Sequence, residues 1–170
     1  ISHARPKIAD YPFTTLIPNL GVVQLEDFST FVAADIPGLV EGAHRGKGLG
    51  IRFLKHTERS RLLVHLLDFS SGNIRDPLDD YRIVQNELEC FSKRLYERPQ
   101  ILVASKVDHV EAKEKFQELE LRLKEVNADV HVISSMTGEG LPKLLWRIKA
   151  MIDKLKAEDE DLYSMKNFSL

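Results

Sequence analysis

The sequence predicts an α/β fold in which a mainly parallel β-sheet carries helices on both faces and one antiparallel hairpin at its edge. Short, fully apolar segments alternate along the chain with segments whose apolar residues recur every three or four positions. Strands that are apolar throughout are typical of parallel sheets buried on both faces, and the intervening helical stripes supply the cover. The 170 residues, of which 43% are hydrophobic and 29% charged with a formal net charge of −2, suit one domain and exclude a disordered or fibrous chain.

Five short apolar segments are predicted as strands, at 20–25, 31–34, 62–67, 101–104 and 130–133. Only a short polar connection separates the first two, which favours a hairpin and hence an antiparallel edge strand. Three helical stripes lie among and after the later strands. They comprise Tyr81, Val84, Leu88, Phe91 and Leu95; then Phe116, Leu119, Leu123 and Val126; then Leu141, Leu144, Leu145, Ile148, Met151, Ile152 and Leu155.

The ends of the chain differ from its middle. Consecutive acids occupy 158–161, so we expect one domain at 1–156 and a solvated acidic tail or linker at 157–170. The chain begins at Ile1 without Met, and we expect it to be a piece of a longer protein. No apolar run approaches the ~20 residues that cross a bilayer, so no membrane span is expected.

Ligands bind at the carboxyl ends of the strands in such sheets, so the residues after each strand are the functional candidates. The second strand is followed by Asp35, Ile36, Pro37 and Gly38. A carboxylate there is a suitable oxygen ligand for Mg²⁺, and a glycine lets its backbone N–H approach a phosphate. The alternative is an ordinary turn, which the same residue types favour.

Adjacent threonines, Thr14 and Thr15, lie in the loop before the hairpin. One hydroxyl can ligate Mg²⁺ while a backbone N–H binds a phosphate. The alternative is a polar loop anchored by the neighbouring Phe13.

The fourth predicted strand is followed by Ser105, Lys106, Val107 and Asp108. The Asp108 carboxylate can accept hydrogen bonds from the adjacent N1–H and N2–H₂ donors of guanine, a donor pair that adenine lacks. The Lys106 stem can lie flat over the base. The alternative is that Asp108 caps the following helix.

Small residues follow the last strand, in a segment that begins with Ser134, Ser135 and Met136 and includes Gly138 and Gly140. They allow backbone amides to face a carbonyl of a ligand, although an ordinary strand-to-helix loop has the same composition. Each pattern is weak alone. Together they run from phosphate-side to base-side elements, each beside a strand boundary, and this joint placement favours a guanine-nucleotide site.

Two longer stretches carry a family resemblance. Residues 8–21 read Ile-Ala-Asp-Tyr-Pro-Phe-Thr-Thr-Leu-Ile-Pro-Asn-Leu-Gly, and residues 35–44 read Asp-Ile-Pro-Gly-Leu-Val-Glu-Gly-Ala-His, followed by Gly46, Gly48, Leu49 and Gly50. Over about residues 3–155 the chain resembles the Obg family of GTPases. The resemblance implies a P-loop GTPase-type fold, GTP or GDP as ligand, Mg²⁺ as cofactor and hydrolysis of GTP.

The resemblance also implies roles for single residues. Thr15 would bind Mg²⁺ and sense the γ-phosphate, Asp35 would support Mg²⁺ through water, and Gly38 would donate its N–H to the γ-phosphate, so Thr15 and Gly38 are the catalytic candidates. Asp108 would read guanine and Ser135 would offer its backbone N–H to the guanine oxygen. The remaining nucleotide-binding candidates lie in the same loops and are Phe13, Thr14, Leu16, Ile17, Ile36, Pro37, Ser105, Lys106, Val107, Ser134 and Met136.

Three departures from the family pattern have consequences. Ser105 stands where the family has asparagine, which predicts weaker guanine-nucleotide affinity. Leu39, a hydrophobic residue as the resembled family has at this position, departs from Ras-like enzymes, which use a glutamine there to orient the attacking water, and this implies slow hydrolysis. No Gly-x-x-x-x-Gly-Lys-Ser/Thr phosphate loop occurs in the chain. We expect that loop, the first strand and most of the first helix to precede Ile1, so that these residues alone fold badly, bind GTP poorly and are inactive.

The family resemblance points to a GTP-hydrolysing switch in large ribosomal subunit assembly, acting as a monomer in the bacterial cytoplasm or in a mitochondrion or chloroplast. A basic stretch would contact ribosomal RNA, or would be a solvated helix face. The competing function is a non-enzymatic ribosome-binding module that has lost its nucleotide chemistry; the presence of Thr15, Asp35, Gly38 and Asp108 favours the switch. The basic stretch runs over 45–61 and contains Arg45, Lys47, Arg52, Lys55, Arg59 and Arg61.

Overall fold

The computed structural model describes residues 19–35, 58–72 and 75–167. Strands and helices alternate there as the sequence predicts, and each expected strand is present. In chain order the described elements are β1 (Asn19–Gln24), β2 (Thr30–Asp35), β3 (Leu63–Asp68), α1 (Pro77–Phe91), α2 (Lys93–Tyr96), β4 (Gln100–Ser105), α3 (Val110–Val126), β5 (Val130–Val132) and α4 (Leu141–Asn167).

The predicted parallel sheet is confirmed, with β4 in the middle between β3 and β5. Both faces of β4 are buried, which explains why its sequence is apolar without alternation. Leu102 and Ala104 pack with α1 and α3 on one face. Ile101 and Val103 pack on the other face with α4 and the hairpin. This strand is therefore the centre of the core, and the loop that follows it is held from both sides.

The predicted antiparallel hairpin is also confirmed, with β1 paired to β2 in a two-stranded sheet of its own among the described residues. Val23, Leu25 and Phe31 are buried against the core under β4. The opposite face of the hairpin is apolar but exposed, with Leu20, Val22 and Val32 on it. The hairpin thus joins the parallel sheet through side-chain packing.

The helical stripe predicted from Tyr81 to Leu95 is divided in two. α1 begins where the Asp76 carboxylate accepts the Leu78 N–H at 2.8 Å. It ends before Ser92, whose backbone is extended and whose N–H donates to the Leu88 carbonyl at 2.9 Å. The break allows Leu95, in the short helix α2, to be buried against Leu88.

The last helix is longer than the sequence predicts. Residues 157–167 continue α4 as a helix, although a solvated tail or linker was expected at 157–170. The side chains at 157–161 are exposed, as expected for an acidic segment, and Asp159 forms an ion pair with Arg61. No helix within the described ranges is long and apolar enough to cross a bilayer.

Candidate functional site

The three parallel strands bring their following loops together at the carboxyl edge of the sheet, where ligands bind in folds of this kind. Backbone hydrogen bonds join these loops. The Phe69 N–H donates to the Ser105 carbonyl at 3.1 Å, and the Val107 N–H donates to the Ile133 carbonyl at 3.4 Å. The residues predicted for the base side of the site therefore lie on neighbouring loops that are hydrogen-bonded to one another.

Asp108 is held by the loop after β5. The Ser134 hydroxyl donates to its Oδ1 at 3.1 Å, and Nε2 of His109 lies 3.3 Å from its Oδ2. The side chain is only 17% exposed. The cap position of α3 is occupied by His109, so the alternative interpretation of Asp108 as the helix cap is wrong. Its carboxylate is a fixed acceptor with lone pairs left for the paired donors of a base.

The loop after β5 is a tight turn built on Ser134. The Ser134 side chain is buried, and its hydroxyl accepts the Thr137 N–H at 3.2 Å. Its carbonyl accepts the Gly138 N–H at 2.9 Å. The turn places Ser135 and Met136 at an exposed crest, where Met136 is 85% exposed. A backbone N–H at this crest is suitably placed to meet a ligand at the carboxyl edge.

Two glycines close this turn for different reasons. Both have positive φ, 81° at Gly138 and 75° at Gly140, a region that L side chains rarely adopt. A Cβ at Gly140 would lie 2.0 Å from the Val132 carbonyl oxygen, whereas a Cβ at Gly138 would meet nothing within 4 Å. The close approach of the turn to β5 therefore requires glycine at 140.

Ser105 and Lys106 are tied to the end of β3. The Ser105 hydroxyl donates to the Leu67 carbonyl at 2.8 Å. Lys106 has a positive φ of 61°, and its Nζ lies 2.6 Å from Oδ2 of Asp68. Burial opposes ionisation of Asp68, but hydrogen bonds from Lys106 and Ser70 outweigh it and hold the pKa of this carboxyl below its usual value.

Sequence reasoning missed Asp68, although a usable signal was present. Asp68 ends β3 in the same way that Asp35 ends β2, so the rule that singled out Asp35 applies to it equally. Val107 was predicted to contact nucleotide, yet its side chain is buried in the core, which leaves only its backbone for a ligand.

The phosphate side of the predicted site lies largely outside the described residues. Asp35 is the last residue of β2 and is exposed. Its carboxylate, with a threonine hydroxyl, is a hard-oxygen donor set of the kind that Mg²⁺ takes. In the part of the chain that the structure describes, no three His, Cys, Asp or Glu residues are grouped to hold a metal. The site candidates outside the described ranges are Phe13, Thr14, Thr15, Leu16, Ile17, Ile36, Pro37 and Gly38.

The basic stretch is described only at its end. Arg59 is exposed, and Arg61 pairs with Asp159 of α4. The carbonyl of Glu58, beside them, accepts a hydrogen bond from Nη2 of Arg98 at 2.5 Å. Four cationic residues of the basic stretch lie outside the described ranges, namely Arg45, Lys47, Arg52 and Lys55.

Comparison with known proteins gives a consistent result. Residues 1–106 match the model of a family described as 50S ribosome-binding GTPase. The chain is 50% identical over 157 residues to the GTPase Obg of Desulfitobacterium hafniense (strain DSM 10664 / DCB-2), covering 92% of this chain and 37% of that protein. It is 48% identical over 153 residues to the GTPase Obg of Anoxybacillus flavithermus (strain DSM 21510 / WK1), covering 90% and 36%. The chain thus spans little more than a third of the length of these relatives.

A solved structure shares the fold. The structure of Era in complex with MgGDPNP and nucleotides 1506–1542 of 16S ribosomal RNA superposes with a TM-score of 0.58 at 22% identity, covering 83% of this chain and 46% of that one. At this identity the likeness supports the P-loop GTPase-type fold.

Proposed function

Because the chain belongs to the 50S ribosome-binding GTPase family and is related throughout most of its length to Obg GTPases, we propose that it carries the guanine-nucleotide site of a GTP-hydrolysing switch. The observation that supports this most directly is the placement of Asp108. Its carboxylate is held by Ser134 beside the exposed crest at Ser135, so acceptors for N1–H and N2–H₂ and a donor for the guanine oxygen come from adjacent loops.

Exchanging Asp108 for asparagine tests the base-side proposal. Asparagine keeps one acceptor but replaces the other with a donor, which suits the C2 carbonyl of xanthine instead of the guanine amine. Asp108→Asn should therefore weaken GDP binding by about two orders of magnitude and strengthen binding of xanthosine diphosphate.

The 170 residues contain no phosphate-loop motif, so the test uses a fusion protein. In it, the 170 residues follow the segment that precedes the matched region in the Desulfitobacterium relative. Binding is measured by calorimetry with GDP, ADP and xanthosine diphosphate. Asp129→Asn, at the opposite edge of the sheet, is the matched control. The base-side assignment would be rejected if the Asp108 variant bound GDP as tightly as the unchanged protein does and bound xanthosine diphosphate with the same affinity.

The phosphate side of the proposed switch is formed by Thr15, Asp35 and Gly38. Thr15 and Asp35 would hold Mg²⁺, and the ion would supply charge neutralisation at the β- and γ-phosphates. Contacts from Thr15 and Gly38 to the γ-phosphate would order both loops, and hydrolysis would release them. The proposed domain is 1–156, with 157–170 as an acidic extension.

The proposed partner is the large ribosomal subunit with its RNA, and the proposed location is the bacterial cytoplasm, where the intact protein would act as a monomer. The family description and the basic stretch support this partner. Arginine and lysine neutralise phosphates and release counterions, so binding should depend on salt. Replacing Arg52, Lys55 and Arg59 together by glutamine should lower co-sedimentation with the subunit and flatten its salt dependence. Unchanged co-sedimentation would remove the basic stretch from the interface.

A further inference from the structure

The loop after β4 sends two side chains in opposite directions. Asp108 reaches toward the loop after β5, where the Ser134 hydroxyl binds it. Lys106 reaches toward the end of β3, where its Nζ lies 2.6 Å from Oδ2 of Asp68. The Lys106 stem therefore spans the carboxyl ends of β4 and β3, along the edge at which a ligand binds.

Asp68 is itself held in place. The Ser70 N–H donates to its Oδ1 at 2.8 Å, and Nζ of Lys106 lies 2.6 Å from its Oδ2. The strand ends beneath this pair are joined independently by the hydrogen bond from the Ser105 hydroxyl to the Leu67 carbonyl. The Asp68 carboxylate that pairs with Lys106 is thus held in place, on strand ends that are themselves joined by a hydrogen bond.

A lysine in this position needs such an anchor. Its side chain is 57% exposed and carries about 2 kcal/mol of rotamer entropy, which stacking on a base would have to suppress. A partner that fixes Nζ before the ligand arrives reduces that cost at the moment of binding.

We infer that Asp68 is a positioning residue that holds the Lys106 side chain across the base-binding edge. This inference rests on the guanine-nucleotide site proposed above. It assigns to Asp68 a share of nucleotide affinity although its carboxylate pairs with the lysine and has no contact with the base.

The test measures GDP dissociation from the fusion protein with a fluorescent GDP analogue. Asp68→Asn should speed dissociation about threefold to fivefold, since exposed ion pairs are weak. Lys106→Met keeps the stem and removes the charge, so Asp68→Asn should add nothing in that background. Asp79→Asn, which removes an exposed ion pair with Arg82 on α1, is the control and should leave dissociation unchanged.

A second readout separates this inference from the proposed function. In the absence of nucleotide, the hydrogens on Nζ of Lys106 should exchange slowly enough with water to be observed through the side-chain ¹⁵N resonance. Asp68→Asn should remove that protection. If the resonance is unprotected in the unchanged protein, or if the two substitutions act additively on dissociation, the inference is overturned while the nucleotide site stands. If the unchanged fusion protein binds no GDP although Lys106 is protected, the proposed function is overturned, and the inference with it.

Discussion

Two aspartates at opposite edges of the parallel sheet are buried to a similar degree but differ in their partners. Asp129, at the amino edge, is 19% exposed and receives Nη2 of Arg147 at 2.7 Å, Nε of Arg147 at 2.8 Å and Nε2 of His131 at 3.0 Å. Asp108, at the carboxyl edge, is 17% exposed and has a serine hydroxyl and an exposed histidine as its partners.

The difference separates a structural carboxylate from one suited to a ligand. A carboxylate held by a guanidinium fork has its charge compensated and its acceptor sites occupied. One that is positioned by a neutral hydroxyl keeps its charge and acceptor capacity for an incoming donor pair. The following substitutions, in order of expected effect, test whether the two edges divide stability and binding in this way.

Gly140→Ala should have the largest effect, because the added Cβ would lie 2.0 Å from the Val132 carbonyl oxygen at a φ of 75°. We expect a loss of about 3 kcal/mol in the free energy of unfolding, together with weakened GDP binding. Gly138→Ala, whose Cβ has open space, should lose only about 1 kcal/mol through backbone strain. Urea unfolding of both variants measures the difference, and equal losses would contradict the close approach of the turn to β5.

His65 also contributes to the pH dependence of stability, and it belongs to neither aspartate. Its Nδ1 is buried without a hydrogen-bond partner among the described residues, and its ring lies 5.4 Å from that of Tyr81. Burial lowers the pKa of His65 from 6.5 to about 4, despite the opposing charge of Asp80. The unfolded chain therefore takes up this proton first, and stability is lost as the pH falls from 6.5 to 4.

The size of that loss is about 3 kcal/mol at most, by linkage. His65→Phe keeps a ring against Tyr81 and removes the titration, so its stability should decline less than that of the unchanged protein across this pH range. Parallel pH profiles for the two proteins would show that burial does not shift the titration of His65.

Asp129→Asn should reduce stability without altering the choice of nucleotide. Burial opposes ionisation of Asp129, but hydrogen bonds from Arg147 and His131 outweigh it and lower the pKa of its carboxyl. Its stabilising contribution is therefore full above the usual pKa of 3.8 and is lost as the pH falls through the lower folded value. We expect a loss of about 1 kcal/mol at neutral pH, because the pair is partly screened by solvent. A shift in selectivity between GDP and xanthosine diphosphate would contradict the division between the two edges.

Ser105→Asn should have the smallest effect. The family resemblance predicts about threefold tighter GDP binding, while loss of the hydrogen bond to the Leu67 carbonyl should cost a little stability. Calorimetry and urea unfolding measure the two quantities. Ser105→Ala removes the same hydrogen bond and adds no donor, so tighter binding by the alanine variant as well would refute the assigned role of the amide.

The sequence predicted the parts of this fold that depend on local pattern. The apolar run around Leu102 and the stripe through Phe116 and Leu123 are short-range signals, and the corresponding strand and helix are present. The rule that strand ends share one edge predicted that the loops carrying Asp108 and Ser134 lie on the same side of the sheet, but it did not predict the hydrogen bond between these two residues.

The rest depends on contacts between distant residues. The pair of Lys106 with Asp68 and the hydrogen bond from Ser105 to Leu67 each join positions 38 apart, and no periodicity encodes such a pairing. The break at Ser92 arose in the same way, because burial of Leu95 against Leu88 overrode a continuous helical pattern. Local pattern singled out the loops of the proposed site, whereas tertiary packing decided which side chains anchor these loops.

The length of α4 has a mechanical consequence. At 1.5 Å per residue its 27 residues extend for about 40 Å, roughly twice the length of the six-residue β4. Among the described side chains, the apolar residues of α4 that pack in the core cluster with β4 and the hairpin extend from Leu141 to Ile152, in the first half of the helix. A tilt of about 10° at the Gly140 turn would displace the far end by about 7 Å. Such a tilt, at the turn beside the proposed base-binding loop, would therefore pull against the ion pair between Asp159 and Arg61.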